Sequence, residues 1–473
     1  MAGLRQSSGL FAFSFDPGTL VGVAAPKTSD PVGKREARQK QVVPQKAAPH
    51  VSVIQSLVEF LNRVQCADEM FEDVLPVLKA KDTERISRVS HLVQEIAAIV
   101  KGKPKNEPLL LDKLQELLKP AQRIARAGVM FRGHSIVLLV SQFDEFVAEL
   151  LRVVYGSNRE RLKGSGRTLS YDDFLAASSL DEIFASFIDR EIDKIFRQSH
   201  SMVIDYLDEH FKIGIIEHFA KYPSFIEITE RRNLIVHSGG VVTPQYLSAC
   251  EKAGLPKAAV PCAGAHLVLE AGYFKEACRV FFEIGLRVGQ AVLRRAFPEH
   301  LAEADLCLND VGFDMLREER CDLASIVFEF ALGMPCKLVS TDRFQKMFRV
   351  NLAIAYKWGG RPEKVEEVLS AVDWSASEAK FKLACCVLRD EFDRAASLVL
   401  ELGRSIPQRD YATWPLFRGF RNSPQFQRAF RKVYRKPFIA QAISEVRHAM
   451  SGAASIASGQ AGALPASGAE PQR

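Results

Sequence analysis

Pro223-Ser224-Phe225-Ile226-Glu227-Ile228-Thr229-Glu230-Arg231-Arg232-Asn233-Leu234-Ile235-Val236-His237-Ser238-Gly239-Gly240 is the stretch on which the reading of this chain turns. It carries start and stop signals for a helix. Pro223 stands at the entrance, Ser224 is a good N-cap, and Glu227 completes a capping box that occupies otherwise orphaned backbone N–H groups. Gly239 and Gly240 tolerate the left-handed conformation that ends a helix. The expectation is a helix over 225–237.

Phe225, Ile226, Ile228, Leu234, Ile235 and Val236 spread over more than one face, so this helix is expected to be largely buried. Arg231 has a partner one turn earlier in Glu227. Arg232 has only Ile228 and Val236 at one turn's distance. Asn233 and His237 share a face, with Thr229 one turn before them. Burying such groups without partners is costly, so they are expected to face a cleft or a second subunit.

At these residues the chain resembles the HEPN superfamily of all-α domains, many of which cleave RNA. Arg232-Asn233-Leu234-Ile235-Val236-His237 is similar to that family's Arg-x4-His motif, with a polar residue directly after the Arg. Gly239-Gly240, then Thr243-Pro244-Gln245-Tyr246-Leu247, and an amphipathic helix over 274–297 extend the likeness to residues 125–298. The resemblance implies a metal-independent endoribonuclease in which the RNA 2′-hydroxyl is the nucleophile. His237 would be general base or acid, Arg232 a phosphate clamp, and Asn233 the hydrogen-bond partner that orients it. No cofactor or metal is assigned a role. On a regular helix, residues five apart point about 140° away from each other. Either the helix end unwinds at Ser238-Gly239, or two protomers each supply an Arg and a His. The family uses the second arrangement, so a homodimer through this region is expected. The alternative is a non-catalytic module of the same type that binds RNA or protein.

Other chemistries lack their signatures. There is no G-x-x-x-x-G-K-[ST], no G-x-S-x-G and no H-E-x-x-H. A Tyr directly after the motif, which AMP-accepting HEPN toxins carry, is replaced by Ser238-Gly239. That favours a self-contained stress or defence effector over a toxin–antitoxin partner.

The composition, 47% hydrophobic and 25% charged over 473 residues, is that of an ordinary globular protein of two or three domains. A net charge of +6 allows a basic patch and excludes a histone-like binder. Nine cysteines show no C-x-x-C spacing and read as buried small residues in a reducing compartment. No apolar run approaches the ~18 residues of a membrane helix. Asp16 interrupts a weak N-terminal apolar patch, which makes a poor leader peptide. A cytoplasmic location is the expectation.

In chain order, residues 1–50 read as a disordered tail with a basic stretch at 34–40, and 51–124 as a small helical lead-in with helices near 68–80, 83–101 and 109–127. The HEPN-like domain, 125–298, opens with a helix over 134–155. A basic loop follows, carrying Arg159, Arg161, Lys163 and Arg167, which are candidates for RNA contact or for plain solvation. Helices over 181–198 and 202–219 bring His200, His210 and His218, whose spacing matches no metal motif. Arg279, Arg287, Arg294 and Arg295 read mostly as a solvated face of the 274–297 helix.

Residues 299–436 read as paired short helices: 305–317 with 321–332, 344–358 with 362–372, and 377–388 with 392–402. They resemble degenerate TPR-type repeats, a surface for a protein or ligand partner and a regulator of the nuclease. Residues 418–436 carry seven basic residues and no acidic one, interleaved with Phe420, Phe426, Phe430 and Tyr434. This segment either caps the array with its aromatics inward or binds RNA by charge and stacking. A terminal helix and disordered tail are expected over 437–473.

Overall fold

The computed structural model describes residues 47–100, 107–162 and 177–439. The two tails and part of the basic loop, including Lys163 and Arg167, lie outside the described residues. Among those described, the protein is all-α: no strand is present, and a single antiparallel bridge joins Val241 to His266. No described helix is long and apolar enough to cross a membrane. Two compact units divide at Cys307 and Leu308.

The first unit rests on two long helices, α1 (Pro49–Val100) and α2 (Glu107–Ser157). The separate lead-in helices expected near 68–80 and 83–101 are one continuous helix. Pro76 lies inside it, where it removes a single backbone hydrogen bond without ending the helix. The expected helices over 109–127 and 134–155 likewise merge into α2. The lead-in is therefore no separate domain. Its stripe of Val53, Leu57, Phe60, Leu61 and Val64 is almost completely buried, and α1 packs against both α2 and α8 (Ala271–Ala296).

Close approach of α1 to α8 depends on two glycines. A Cβ on Gly285 would stand 2.1 Å from Phe60 Cε1, and one on Gly289 2.7 Å from Leu57 Cδ1. Phe60 stacks on Phe146 with centroids 4.5 Å apart. Phe143 meets Phe225 and Phe281 edge-on or tilted at 5.3 and 5.5 Å. Such arrangements add roughly 0.5–1.5 kcal/mol per aromatic pair beyond area burial. Phe225 belongs to α6 (Tyr222–His237), so the helix carrying the quoted motif is seated in this core from its first turn.

Between α2 and α6 lie α3 (Leu180–Phe196), α4 (His200–Phe211) and the short α5 (Ile215–His218). Ser179 and Ser199 accept from the backbone N–H groups of Glu182 and Met202 as N-caps. The helix expected over 202–219 is broken because Lys212 and Gly214 adopt φ of 50° and 67°. The Asp208 carboxylate then accepts from Ile215 N at 3.0 Å and starts the next turn. After α6 comes α7 (Pro244–Lys252), and α9 (Leu301–Arg317) follows α8.

The second unit continues through α10 (Cys321–Gly333), α11 (Asp342–Trp358), α12 (Glu363–Ser370), α13 (Ala379–Leu388), α14 (Phe392–Leu402), α15 (Gln408–Thr413) and α16 (Pro424–Tyr434). The pairs α10 with α11, α11 with α12, α13 with α14 and α14 with α16 pack on one another. Ala324, Ala353, Ala355, Ala384 and Ala395 are fully buried at these contacts. The turns are tied by side chains. Lys357 donates to Leu388 O at 2.9 Å and Asp390 at 2.6 Å, and Trp358 Nε1 donates to Pro415 O at 3.2 Å.

Gly285→Ala is expected to cost about 1–3 kcal/mol, because the new methyl group overpacks Phe60. Gly272→Ala, where a Cβ meets open space, is expected within about 0.5 kcal/mol of wild type. Urea unfolding of both variants checks this. Equal stabilities would show that α1 does not seat on α8 as described.

Candidate functional site

The site is built on α6, and its first turn departs from the sequence expectation. The helix begins at Tyr222 rather than 225, Lys221 occupies the N-cap position without a capping bond from its side chain, which pairs with Glu276 instead, and Ser224 lies inside the helix. Glu227 is not a capping residue. Its carboxylate is buried, 7% exposed. It accepts hydrogen bonds from Tyr246 Oη and Tyr273 Oη, each at 2.6 Å, and from Arg231 Nε. The Arg231 guanidinium lies 4.0 Å above the Tyr273 ring and donates from NH1 to Val268 O at 3.4 Å. The expected Glu227–Arg231 pair is therefore one edge of a four-residue cluster. It joins α6 to α7 through Tyr246 and to the start of α8 through Tyr273. Burial, then the Glu227 charge, raises both tyrosine hydroxyls above their usual range.

The C-terminal end of α6 follows the sequence. Gly239 and Gly240 take φ of 58° and 79°, and the N–H groups of Ser238 and Gly240 both reach Leu234 O at 2.9 Å. The returning chain is stitched beside this turn: Val242 N donates to Ala265 O at 2.9 Å and Leu267 N to Gly240 O at 2.8 Å. Leu234, Val242, Tyr246 and Cys250 form a small buried core below it. The pairing also sets the exposed His266 opposite Val241, close in the chain path to the end of the motif.

Arg232 and Asn233 are half-buried, and His237 is exposed. Arg232 NH1 donates to Asn233 Oδ1 at 3.2 Å, while Asn233 Nδ2 donates to Glu230 at 3.4 Å. Arg232 Nε is buried without a hydrogen-bond partner. His237 makes no side-chain bond among the described residues. Thr229 does not share this face: it is fully buried, and its hydroxyl donates to Ile226 O at 2.8 Å. The helix is regular through His237, so the unwinding that would swing His237 toward Arg232 within one chain does not occur. Arg232 and Asn233 are brought together; His237 stands apart from them on the same helix.

The other candidates are largely engaged. Arg159 pairs with Asp181 and lies 4.1 Å over the Phe184 ring, and Arg161 lies 5.7 Å from Phe211. Both sit on a 3-10 turn over 159–162, Arg159 exposed and Arg161 half-buried. Arg294 is no solvated residue: it is 2% exposed and pairs with the buried Asp305 at 2.8 Å. Arg287 pairs with Glu283. His200 bridges to Asp144 of α2 at 2.9 Å, and His210 bonds the Tyr206 carbonyl. All nine cysteines are free, and burial pushes the Cys385 thiol up to about 12, far from reactivity.

One group has donor types suited to a metal. Ligand atoms of His50, His300 and Glu303 lie within 4.8 Å of one another. The two imidazoles are stacked face to face at 3.4 Å, however, so their nitrogens do not converge. His50 and Glu303 also stand in the first turns of α1 and α9, where the helix dipole disfavours a cation. None of the three is on α6. Comparison with protein-family models, curated proteins and solved structures returns no match to this chain.

Glu227→Ala is expected to destabilise by about 3–5 kcal/mol, because Arg231 is left buried without its counter-charge. The tyrosines add a pH dependence of definite sign. A raised folded pKa contributes stability below the unfolded value near 10 that is lost as pH rises above it. Stability should therefore fall beyond pH ~10, and Tyr246→Phe with Tyr273→Phe should flatten that fall. Urea midpoints across an alkaline series measure it; an unchanged alkaline limb in the double variant contradicts the cluster.

Proposed function

We propose that this protein is a HEPN-type endoribonuclease acting without a catalytic metal, with Arg232 and His237 as its reacting pair. The observation carrying this reading is the state of the two side chains. Arg232 is held by Asn233 with its Nε unsatisfied, while His237 is exposed and free of any bond that would occupy its nitrogens. A guanidinium oriented in this way matches a phosphodiester in charge and geometry. An imidazole with both nitrogens unoccupied is suited to move the protons the reaction requires.

The RNA 2′-hydroxyl attacks the adjacent phosphorus while its proton passes to a base. The P–O5′ bond breaks, and the leaving 5′-oxygen takes a proton from an acid. The products are a 2′,3′-cyclic phosphate and a 5′-hydroxyl. Arg232 stabilises the extra negative charge on the pentacoordinate phosphorus. His237 acts as base or acid. Because α6 stays regular to His237, one chain does not bring both groups to the same phosphate. We assign each site to an Arg232 from one protomer and a His237 from the other, in a two-fold homodimer. The paired helices of the second unit are read as a TPR-like array that receives a regulatory partner or ligand. The chain then serves as a stress or defence effector acting on single-stranded or looped RNA.

Arg232→Ala and His237→Ala should each lower cleavage of a mixed transfer and single-stranded RNA pool at least ~100-fold with EDTA present. The unfolding midpoint of His237→Ala should stay within about 0.5 kcal/mol of wild type, since the side chain is exposed. Products ending in 2′,3′-cyclic phosphate are expected. Wild-type cleavage that persists in both variants would return the chain to the non-catalytic reading, a module that binds RNA or protein.

A further inference from the structure

The C-terminal helix α16 resolves the two readings of the basic segment in an unexpected combination. The aromatics of the segment point inward: Phe420, Phe426 and Phe430 are at most 2% exposed, Phe426 and Phe430 pack on Tyr411, Phe430 also on Tyr434, and Phe420 on Phe426. None is available to stack on a base. The outward face is cationic. Arg428, Arg431, Lys432 and Arg435 follow one another at three, four and seven residues and are all exposed, with Lys436 directly after. On α16 this spacing lays Arg428, Arg431 and Lys432 within an arc of about 100°, along about 6 Å of axis, and Arg435 follows at the C-cap with φ of 60°.

Three features separate this face from an ordinary solvated one. First, Arg428, Arg431, Lys432, Arg435 and Lys436 make no ion pair or side-chain hydrogen bond among the described residues. Other basic residues of the segment are engaged: Arg418 pairs with Glu319, and Arg421 donates to Ala412 O. Second, residues 418–436 include no acidic side chain, so the row has no counter-charge within its own segment. Third, the row borders a surface depression lined by Gln427, Arg428, Arg431, Lys432 and Arg435.

We infer that this face is a docking track for the phosphate backbone of single-stranded RNA, read by charge alone and without base stacking. Charge complementarity selects the ligand. A membrane-surface helix needs its apolar face free for the lipid, and here that face is consumed by the core. A protein partner would be expected to find an apolar anchor at the centre of the contact, and the described residues lining the depression are four cations and one amide. A polyphosphate needs neither. Three of the four lining cations are arginines, whose planar forks accept phosphate oxygens in pairs. The inference takes from the proposed function only that the ligand is RNA, and it requires no cleavage.

The test uses the full chain carrying His237→Ala, so that binding is read without turnover. Anisotropy of a labelled single-stranded oligouridylate is followed over a salt series. Replacing Arg428, Arg431 and Arg435 together by Gln should weaken binding at least tenfold at low salt. It should also flatten the slope of log K against log salt by about 2, at roughly 0.7 for each lost phosphate contact on a single strand. The triple Arg→Lys variant should keep most of the slope, and both variants should melt with the parent. Unchanged affinity and slope in the Gln variant, or no RNA binding by the parent, overturns the inference. So does charge-dependent binding to phosphatidylserine vesicles in place of RNA. Loss of binding in the Gln variant while Arg232 and His237 prove dispensable for cleavage would sink the nuclease reading and leave this one standing.

Discussion

The buried carboxylate of Glu227 is the constraint on which the candidate site depends. Two tyrosine hydroxyls and the Arg231 guanidinium converge on it from three helices. A carboxylate buried at this depth is costly unless such donors surround it. Saturation of Glu227 therefore fixes the rotation of α6 about its axis relative to α7 and the start of α8. That rotation decides which motif residues face inward. Arg231 is turned into the cluster, and its neighbour Arg232 is turned away, to be held by Asn233. Two adjacent arginines of identical chemistry thus meet different surroundings, Arg231 engaged by Glu227 and Arg232 half-buried with its Nε unsatisfied.

Much of this was legible in the sequence. The Gly239-Gly240 stop, the Glu227–Arg231 pair and the helices of the second unit follow from local rules, and α14 matches its expected limits. What was not legible depended on long-range contacts. Tyr246 and Tyr273 carry no local sign that they donate to Glu227, since they lie 19 and 46 residues away. The start of α6 was misplaced for the same reason: a Ser-x-x-Glu pattern reads as a capping box until the Glu is known to be needed elsewhere. The break expected between the 68–80 and 83–101 helices does not occur, because tertiary packing carries α1 through. Lys212 gave no warning, because a left-handed lysine is not distinguishable by type from any other.

Charge followed a similar logic. Spacing suggested that the arginines of α8 were solvated, yet Arg294 is sealed against Asp305. The C-terminal segment reverses the case: its aromatics are sealed, while Arg428, Arg431, Lys432, Arg435 and Lys436 are exposed. Composition reports how many charges a chain carries; only packing decides which of them remain to meet a ligand.

The account's central claim is that Arg232 of one protomer and His237 of another act on the same phosphate. Arg232→Ala and His237→Ala proteins, each inert alone, would be mixed, allowed to exchange protomers, and assayed for RNA cleavage. A composite site predicts recovery to about a quarter of wild-type activity, since half of the dimers are mixed and each rebuilds one of its two sites. Verified mixed dimers that cleave no more than either parent would contradict it.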